Sequence, residues 1–217
     1  DPDGESDITC VRVADFARRN LCVSLQRKTI RSISFSARSR RLLQRGDLLL
    51  EKSGGGDKQP VGAVVIYDHA EPAVCSNFVA RLSIHEGYEP RFVNYLFSAL
   101  YACRINVPSI KQTTGIQNLD SKSYLAEHVG FPSKFEQQEI AAFLDDECQR
   151  FAAAIEKLEK EIQLLIEYRT RLVADVVTGK LDVREAMTKI PEDIPTDTTS
   201  DMHLGDDTEY LDQEARE

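Results

Sequence analysis

The 217-residue chain has no tryptophan, two methionines and only 7% aromatic residues. With so few large rings, any core must be filled mainly by Val, Ile, Leu and Ala. The five cysteines (Cys10, Cys22, Cys75, Cys103, Cys148) are odd in number and scattered, with no C-x-x-C pair. The four histidines (His69, His85, His128, His203) do not cluster with them. A disulfide framework or structural zinc site is therefore not expected, and free buried thiols in a reducing cytoplasm are. No apolar run approaches the roughly 18 residues that span a bilayer, and no charged-then-apolar leader opens the sequence. The expectation is a cytoplasmic protein with no membrane partner. Enzyme signatures are missing too. There is no GxGxxG or Walker-type loop, and Gly54-Gly55-Gly56 runs into Asp57-Lys58-Gln59, which lacks phosphate-cradling spacing. No GxSxG, HExxH or oriented Cys/His pair occurs. Neither catalytic residues nor metal ligands are expected.

What the chain does have is charge, unevenly placed. The formal net charge is −9, yet residues 8–60 carry 12 Lys/Arg against 4 Asp/Glu. Residues 61–134 balance at 6 against 6, residues 135–185 carry 7 against 12, and residues 186–217 carry 2 against 10. A basic head that can approach a polyanion is joined to an acidic rear that would be repelled by one.

The fold class expected is α+β, with a mixed α/β head over residues 1–134. Residues 8–13 alternate like a strand, and a second follows at 21–25. Residues 36–45 are polar and basic. Leu48-Leu49-Leu50 reads as a short buried strand, which the glycines and proline of residues 51–60 should end along with any other regular element. Residues 61–67 and 73–84 read as two more strands. Pro90 opens a helix over residues 91–103, with Phe92, Tyr95, Leu96, Ala99 and Leu100 on one face. Thr113-Thr114-Gly115 reads as a turn between a helix and a strand, capped by its hydroxyls.

After Ser133 the texture changes. Residues 136–177 contain no Gly and no Pro. Ala141, Leu144, Cys148, Phe151, Ile155, Leu158, Ile162 and Leu165 recur at alternating spacings of three and four, a heptad seam that meets Arg169 before Leu172 and Val176 resume it. Such a helix would be roughly 63 Å long at about 1.5 Å per residue. Leu144, Phe151, Ile155, Leu158, Ile162, Leu165 and Leu172 are the residues expected to pair with a second helix. Gly179 suits a C-terminal cap. This long coiled-coil-forming helix and its cap are expected over residues 135–186. The acidic, Pro/Thr/Asp-rich tail over residues 187–217 is expected to be disordered.

Binding is better supported than catalysis. Arg38, Arg40 and Arg41 lie on one polar segment, and Lys52, Ser53, Gly54, Lys58 and Gln59 on or beside the glycine loop. Lys111 and Gln112 precede the Thr-Thr-Gly turn, which has a structural reading of its own. Lys and Arg neutralise phosphates, while Arg, Lys and Gln can hydrogen-bond base edges. These ten residues form the candidate DNA-binding set. For each residue singly, a solvated side chain or an ordinary turn is the competing reading.

Three runs in order carry a resemblance: Gly46-Asp47-Leu48-Leu49-Leu50-Glu51-Lys52-Ser53-Gly54-Gly55, then Gln112-Thr113-Thr114-Gly115-Ile116-Gln117-Asn118-Leu119, then Phe135-Glu136-Gln137-Gln138-Glu139-Ile140-Ala141. With Glu167-Tyr168-Arg169 and Val177-Thr178-Gly179-Lys180-Leu181-Asp182-Val183-Arg184, the chain resembles the specificity subunit of type I restriction–modification systems. The likeness implies a target recognition domain that reads one half of a split double-stranded DNA sequence, and a long helix that sets the half-site spacing by antiparallel pairing. It implies a non-catalytic subunit that positions methyltransferase subunits and a motor–nuclease subunit. S-adenosylmethionine and ATP would belong to those partners, and no cofactor to this chain. One recognition domain and one helix correspond to a half-subunit that homodimerises or to half of a longer chain. A coiled-coil scaffold without useful DNA affinity is the competing reading, and an autonomous nuclease or methyltransferase a third.

Overall fold

The computed structural model describes residues 7–39 and 41–184, so the acidic tail over residues 187–217 lies outside the described residues. The described residues open with β1 (Asp7–Val11), β2 (Phe16–Ala17), β3 (Cys22–Val23) and β4 (Ile30–Ser32), then a helical turn, α1 (Phe35–Arg38). Five more strands follow: β5 (Leu48–Glu51), β6 (Ser53–Gly54), β7 (Val64–Ile66), β8 (Ala73–Cys75) and β9 (Val79–Leu82). Helix α2 (Pro90–Ala102) leads to β10 (Ile110–Thr114) and β11 (Ile116–Leu119), then α3 (Ser121–Tyr124) and the long α4 (Lys134–Val177). The architecture is α+β, mixed sheets followed by one long helix.

The strands form three sheets, ordered β4-β1-β8, β10-β11-β6 and β2-β3-β7-β5-β9. β5 lies inside the largest, with Leu48 opposite both Ile66 and Leu82. Successive side chains of a strand face opposite ways. Leu49 joins Val11, Val23, Val65 and Tyr67 in one apolar cluster, while Leu48 and Leu50 join Val64, Ile66, Val93 and Tyr124 in another. Both faces of β5 are thus covered, which is why it is written as an unbroken leucine run. At about 1.5–3 kcal/mol per buried leucine, this tripeptide is a main support of the head.

Four expectations need correction. The glycine segment does not end all regular structure, because Ser53 and Gly54 pair antiparallel with Asn118 and Gln117 of β11. Residues 73–84 are two strands: β8 pairs in parallel with β1, whereas β9 pairs with β5, so the turn at Ser76–Phe78 carries the chain between sheets. Thr113-Thr114-Gly115 forms the apex of the β10–β11 hairpin, with Gly115 at φ +76°. On α2 the fully buried residues are Val93 and Asn94, while Ala99 is exposed. The Asn94 side chain donates to the Leu21 carbonyl at 2.7 Å, so a polar residue belongs to the face that an apolar count would assign outward.

The chain divides into two compact units, residues 1–153 and residues 154–217. In the first, the opening turns of α4 are held by Gln137, which is 2% exposed. Its Oε1 accepts from the Glu89 amide at 3.0 Å and its Nε2 donates to the Pro132 carbonyl at 2.9 Å. Tyr95 of α2 donates to Asp145 at 2.6 Å. In the second unit α4 ends at Val177, and Gly179 at φ +70° caps it, with the Leu181 amide donating to the Asp175 carbonyl at 3.0 Å. All five cysteines are free, but Cys103 and Cys148 are exposed, so burial of every thiol is not observed. Among the described residues no helix is long and apolar enough to cross a membrane.

Candidate nucleic-acid interface

The glycine loop leaves β6 and returns at Val61, and side chains from distant elements hold that return. Tyr101 donates to the Pro60 carbonyl at 2.7 Å, and Asn106 Nδ2 to the Val61 carbonyl at 2.8 Å. The Val61 amide donates to Gln117 Oε1 at 3.0 Å. Inside the loop the Gly56 amide donates to the Gln59 carbonyl at 2.8 Å. Gly55, at φ +64°, is obligatory: a Cβ there would lie 2.5 Å from the Val61 nitrogen. The exposed tip, with Lys58 and Gln59, therefore stands on a fixed base.

The pairing of β6 with β11 joins this loop to the hairpin that bears Lys111 and Gln112. Ser53 Oγ donates to Asn118 Oδ1 at 2.6 Å. Lys111 pairs with Asp120 at 2.7 Å, which spends part of its charge inside the molecule and holds the Asp120 carboxyl below its ordinary range. Gln112 borders a cleft of about 450 Å³ together with Asp57, Pro60 and Arg104. The Lys52 amide donates to the Phe78 carbonyl at 2.7 Å, which ties the loop to the Ser76–Phe78 turn. On that turn Asn77 accepts from Arg41 at 2.8 Å. Burial holds the Cys75 thiol above its ordinary value, while Arg41, Lys52 and Arg81 draw it down, so three cations share this neighbourhood. Arg38 donates to the Ile33 carbonyl at 2.7 Å, and its guanidinium lies 4.9 Å from the Phe35 ring centroid. Arg40 lies outside the described residues.

The structure therefore gathers the glycine loop, the hairpin and Arg41, and gives Arg38 local partners. It also adds residues that the sequence did not single out. A cleft of about 460 Å³ is lined by β6, Ser76 and Phe78, Ile116, Arg12 and Arg31. Phe78 and Ile116 are 56% and 57% exposed. A large apolar residue inside a Ser-Asn-Phe turn was the one available signal for Phe78; Arg12 and Arg31 had none. Glu51, at the end of β5, also lines the cleft and is 1% exposed. Burial pushes its carboxyl above the ordinary range, and Arg18 and the Gly62 and Ala63 amides pull against that. Arg12 is paired with buried Asp15 at 3.2 Å, and Arg31 Nη1 donates to the Ile30 carbonyl at 3.1 Å. On α4, Phe151, Ile155, Leu158, Ile162 and Leu165 are 47–65% exposed and Leu172 is 37% exposed, whereas Leu144 is half-buried.

No protein-family model matches the chain, and no curated protein matches it. Among solved structures, a chain from a study of complex assembly and conformational transition of the type I R-M system is similar, with a TM-score of 0.56 at 17% identity. That similarity covers 81% of this chain and 40% of the solved one, so this chain spans about two fifths of its length. A second similarity, to the HsdS subunit from Thermoanaerobacter tengcongensis, has a TM-score of 0.44 at 18% identity and covers 72% of this chain and 35% of that one. The first shows a shared fold.

Proposed function

We propose that this chain acts as one half of a type I specificity subunit, reading one part of a bipartite double-stranded DNA target. The shared fold with a type I restriction–modification chain, over 81% of this one, carries the reading. The motif order from Gly46 to Arg184 and the basic surface gathered beside the glycine loop support it. Methyltransferase and motor–nuclease subunits are its partners, and S-adenosylmethionine and ATP are bound by them. The chain then works in the cytoplasm, binds no cofactor and catalyses nothing itself.

The experiment is a map of methylated adenines in cells with and without the chain, alongside its methyltransferase subunit. A bipartite motif that disappears with the chain is the expected result. An unchanged methylation map overturns the reading. The scaffold alternative rests on the exposed seam of α4 alone. It is favoured if the complex assembles but its duplex binding has no sequence preference.

A further inference from the structure

Two of the buried polar atoms that lack a hydrogen-bond partner among the described residues, Glu51 Oε1 and Ser76 Oγ, belong to residues lining the same 460 Å³ cleft. The other Glu51 oxygen is taken, since Arg18 Nη2 lies 2.9 Å from Oε2. The Gly62 and Ala63 amides also draw the carboxyl down, yet Oε1 itself has no hydrogen-bond partner among the described residues, and leaving a buried acceptor unsatisfied is costly. Gly54 keeps side-chain atoms away from it. A Cβ built there would lie 3.3 Å from Glu51 Oε1 and, its own chain neighbours aside, within 4 Å of nothing else. A side chain at position 54 would thus crowd the orphan oxygen, and glycine keeps it uncrowded on an element that lines the cleft.

The chemistry of that space is selective. Arg18 opposes the effect of burial and favours the ionised carboxylate, which only accepts hydrogen bonds and so repels phosphate and the keto oxygens of guanine and thymine. In the major groove it favours the exocyclic amines of adenine N6 and cytosine N4. The exposed Phe78 and Ile116, which line the cleft, offer apolar contact to a planar ring. Arg31, which also lines the cleft, supplies positive charge to a flanking phosphate. We propose that this cleft is a base-reading subsite, in which Glu51 Oε1 accepts a hydrogen bond from the exocyclic amine of one adenine or cytosine in the target. This rests on the DNA-reading role proposed above and gives that role a substrate chemistry.

The test uses the full chain in complex with its methyltransferase subunit, on duplexes carrying the mapped target. Each adenine is replaced in turn by purine and each cytosine by pyrimidin-2-one, which removes only the exocyclic amine. One position should lose about tenfold in affinity, as expected for one direct base contact. Glu51→Gln then gives a directional readout. Arg18 should hold the amide carbonyl, which turns the NH2 group into the cleft. At the same position the variant should now prefer a keto base, guanine over adenine or thymine over cytosine, with the salt slope unchanged. If no position responds to amine removal, the subsite is overturned, whether or not the variant folds. It is also overturned if the responding position keeps its amino-base preference in folded Glu51→Gln. Where that variant fails to fold, Phe78→Ala replaces it, and a tenfold amine effect left whole in Phe78→Ala overturns the cleft as its location. A wild-type complex that binds all duplexes alike removes the DNA-reading role itself and this assignment with it.

Discussion

Arg18 reaches across 33 residues of sequence to place Nη2 2.9 Å from Oε2 of Glu51, a side chain only 1% exposed. The same guanidinium touches the Tyr101 hydroxyl at 3.5 Å, and Tyr101 in turn grips the Pro60 carbonyl. One cation thus connects the end of β5 to the return of the glycine loop.

Removing that cation should therefore destabilise the head in a pH-dependent way. Burial already holds the Glu51 carboxyl above its ordinary value of 4.5, and loss of Arg18 should raise it further. A carboxyl with a raised folded-state pKa favours the protonated native form. Its contribution is complete below the unfolded value and is lost as pH rises through the folded one. Arg18→Ala should cost about 3 kcal/mol at pH 7, at the low end for a buried pair because Arg18 remains 27% exposed. The deficit should shrink as pH falls toward the ordinary carboxylate range. Urea unfolding at a series of pH values checks this, and a deficit independent of pH would contradict it.

Asn106 should matter for stability out of proportion to its size. It is fully buried, and its Nδ2 is bonded to the carbonyl of Val61, also fully buried. Asn106→Ala leaves that carbonyl unsatisfied, at a cost of about 1–3 kcal/mol. The midpoint of urea unfolding should fall while its slope stays the same. The exposed Gln59→Ala should leave both unchanged.

The basic set should separate phosphate contacts from base contacts. Changing Arg38, Arg40, Arg41, Lys52 and Lys58 together to Ala should weaken binding to all duplexes and flatten the salt dependence by about 0.9 for every phosphate that is no longer neutralised. A base contact among them should instead cost about 1–3 kcal/mol at one target position. Affinity measured against salt concentration, on target and scrambled duplexes, distinguishes these. Unchanged affinity and slope would mark all five as ordinary surface residues.

The α4 seam should act as a spacer through a second helix. Leu158 and Ile162 are 57% and 54% exposed, and each would contribute about 1.5–3 kcal/mol if fully covered. Leu158→Asp with Ile162→Asp should abolish the pairing, because it would bury unpaired charge. Deleting residues 156–162 keeps the heptad register and shortens the helix by about 10.5 Å. With both helices shortened, the half-site spacing should fall by about three base pairs, at roughly 3.4 Å each. A methylation map of the shortened protein reads this directly. Unchanged spacing in an assembled complex rules the spacer out.

Features governed by local periodicity were legible in the chain alone. The 3,4 spacing on α4 and the absence of Gly and Pro dictate a long helix, because every residue there can satisfy its own backbone within four positions. Leu48-Leu49-Leu50 announces a strand covered on both faces for a similarly local reason. The cleft was not legible, since its walls come from Cys10 through Ile116 and meet only when three sheets have assembled. Pairing Ser53 with Asn118 turned an expected loop into a strand, and moving from β8 to β9 placed Phe78 beside the glycine loop. Glu51 looked like one more charged residue at a strand end. Only tertiary structure buried it, gave one oxygen to Arg18, and left the other beside Gly54 without a hydrogen-bond partner among the described residues. Hydrogen bonds between sheets are set by partners distant in sequence, and no pattern within a single segment encodes which partner will arrive.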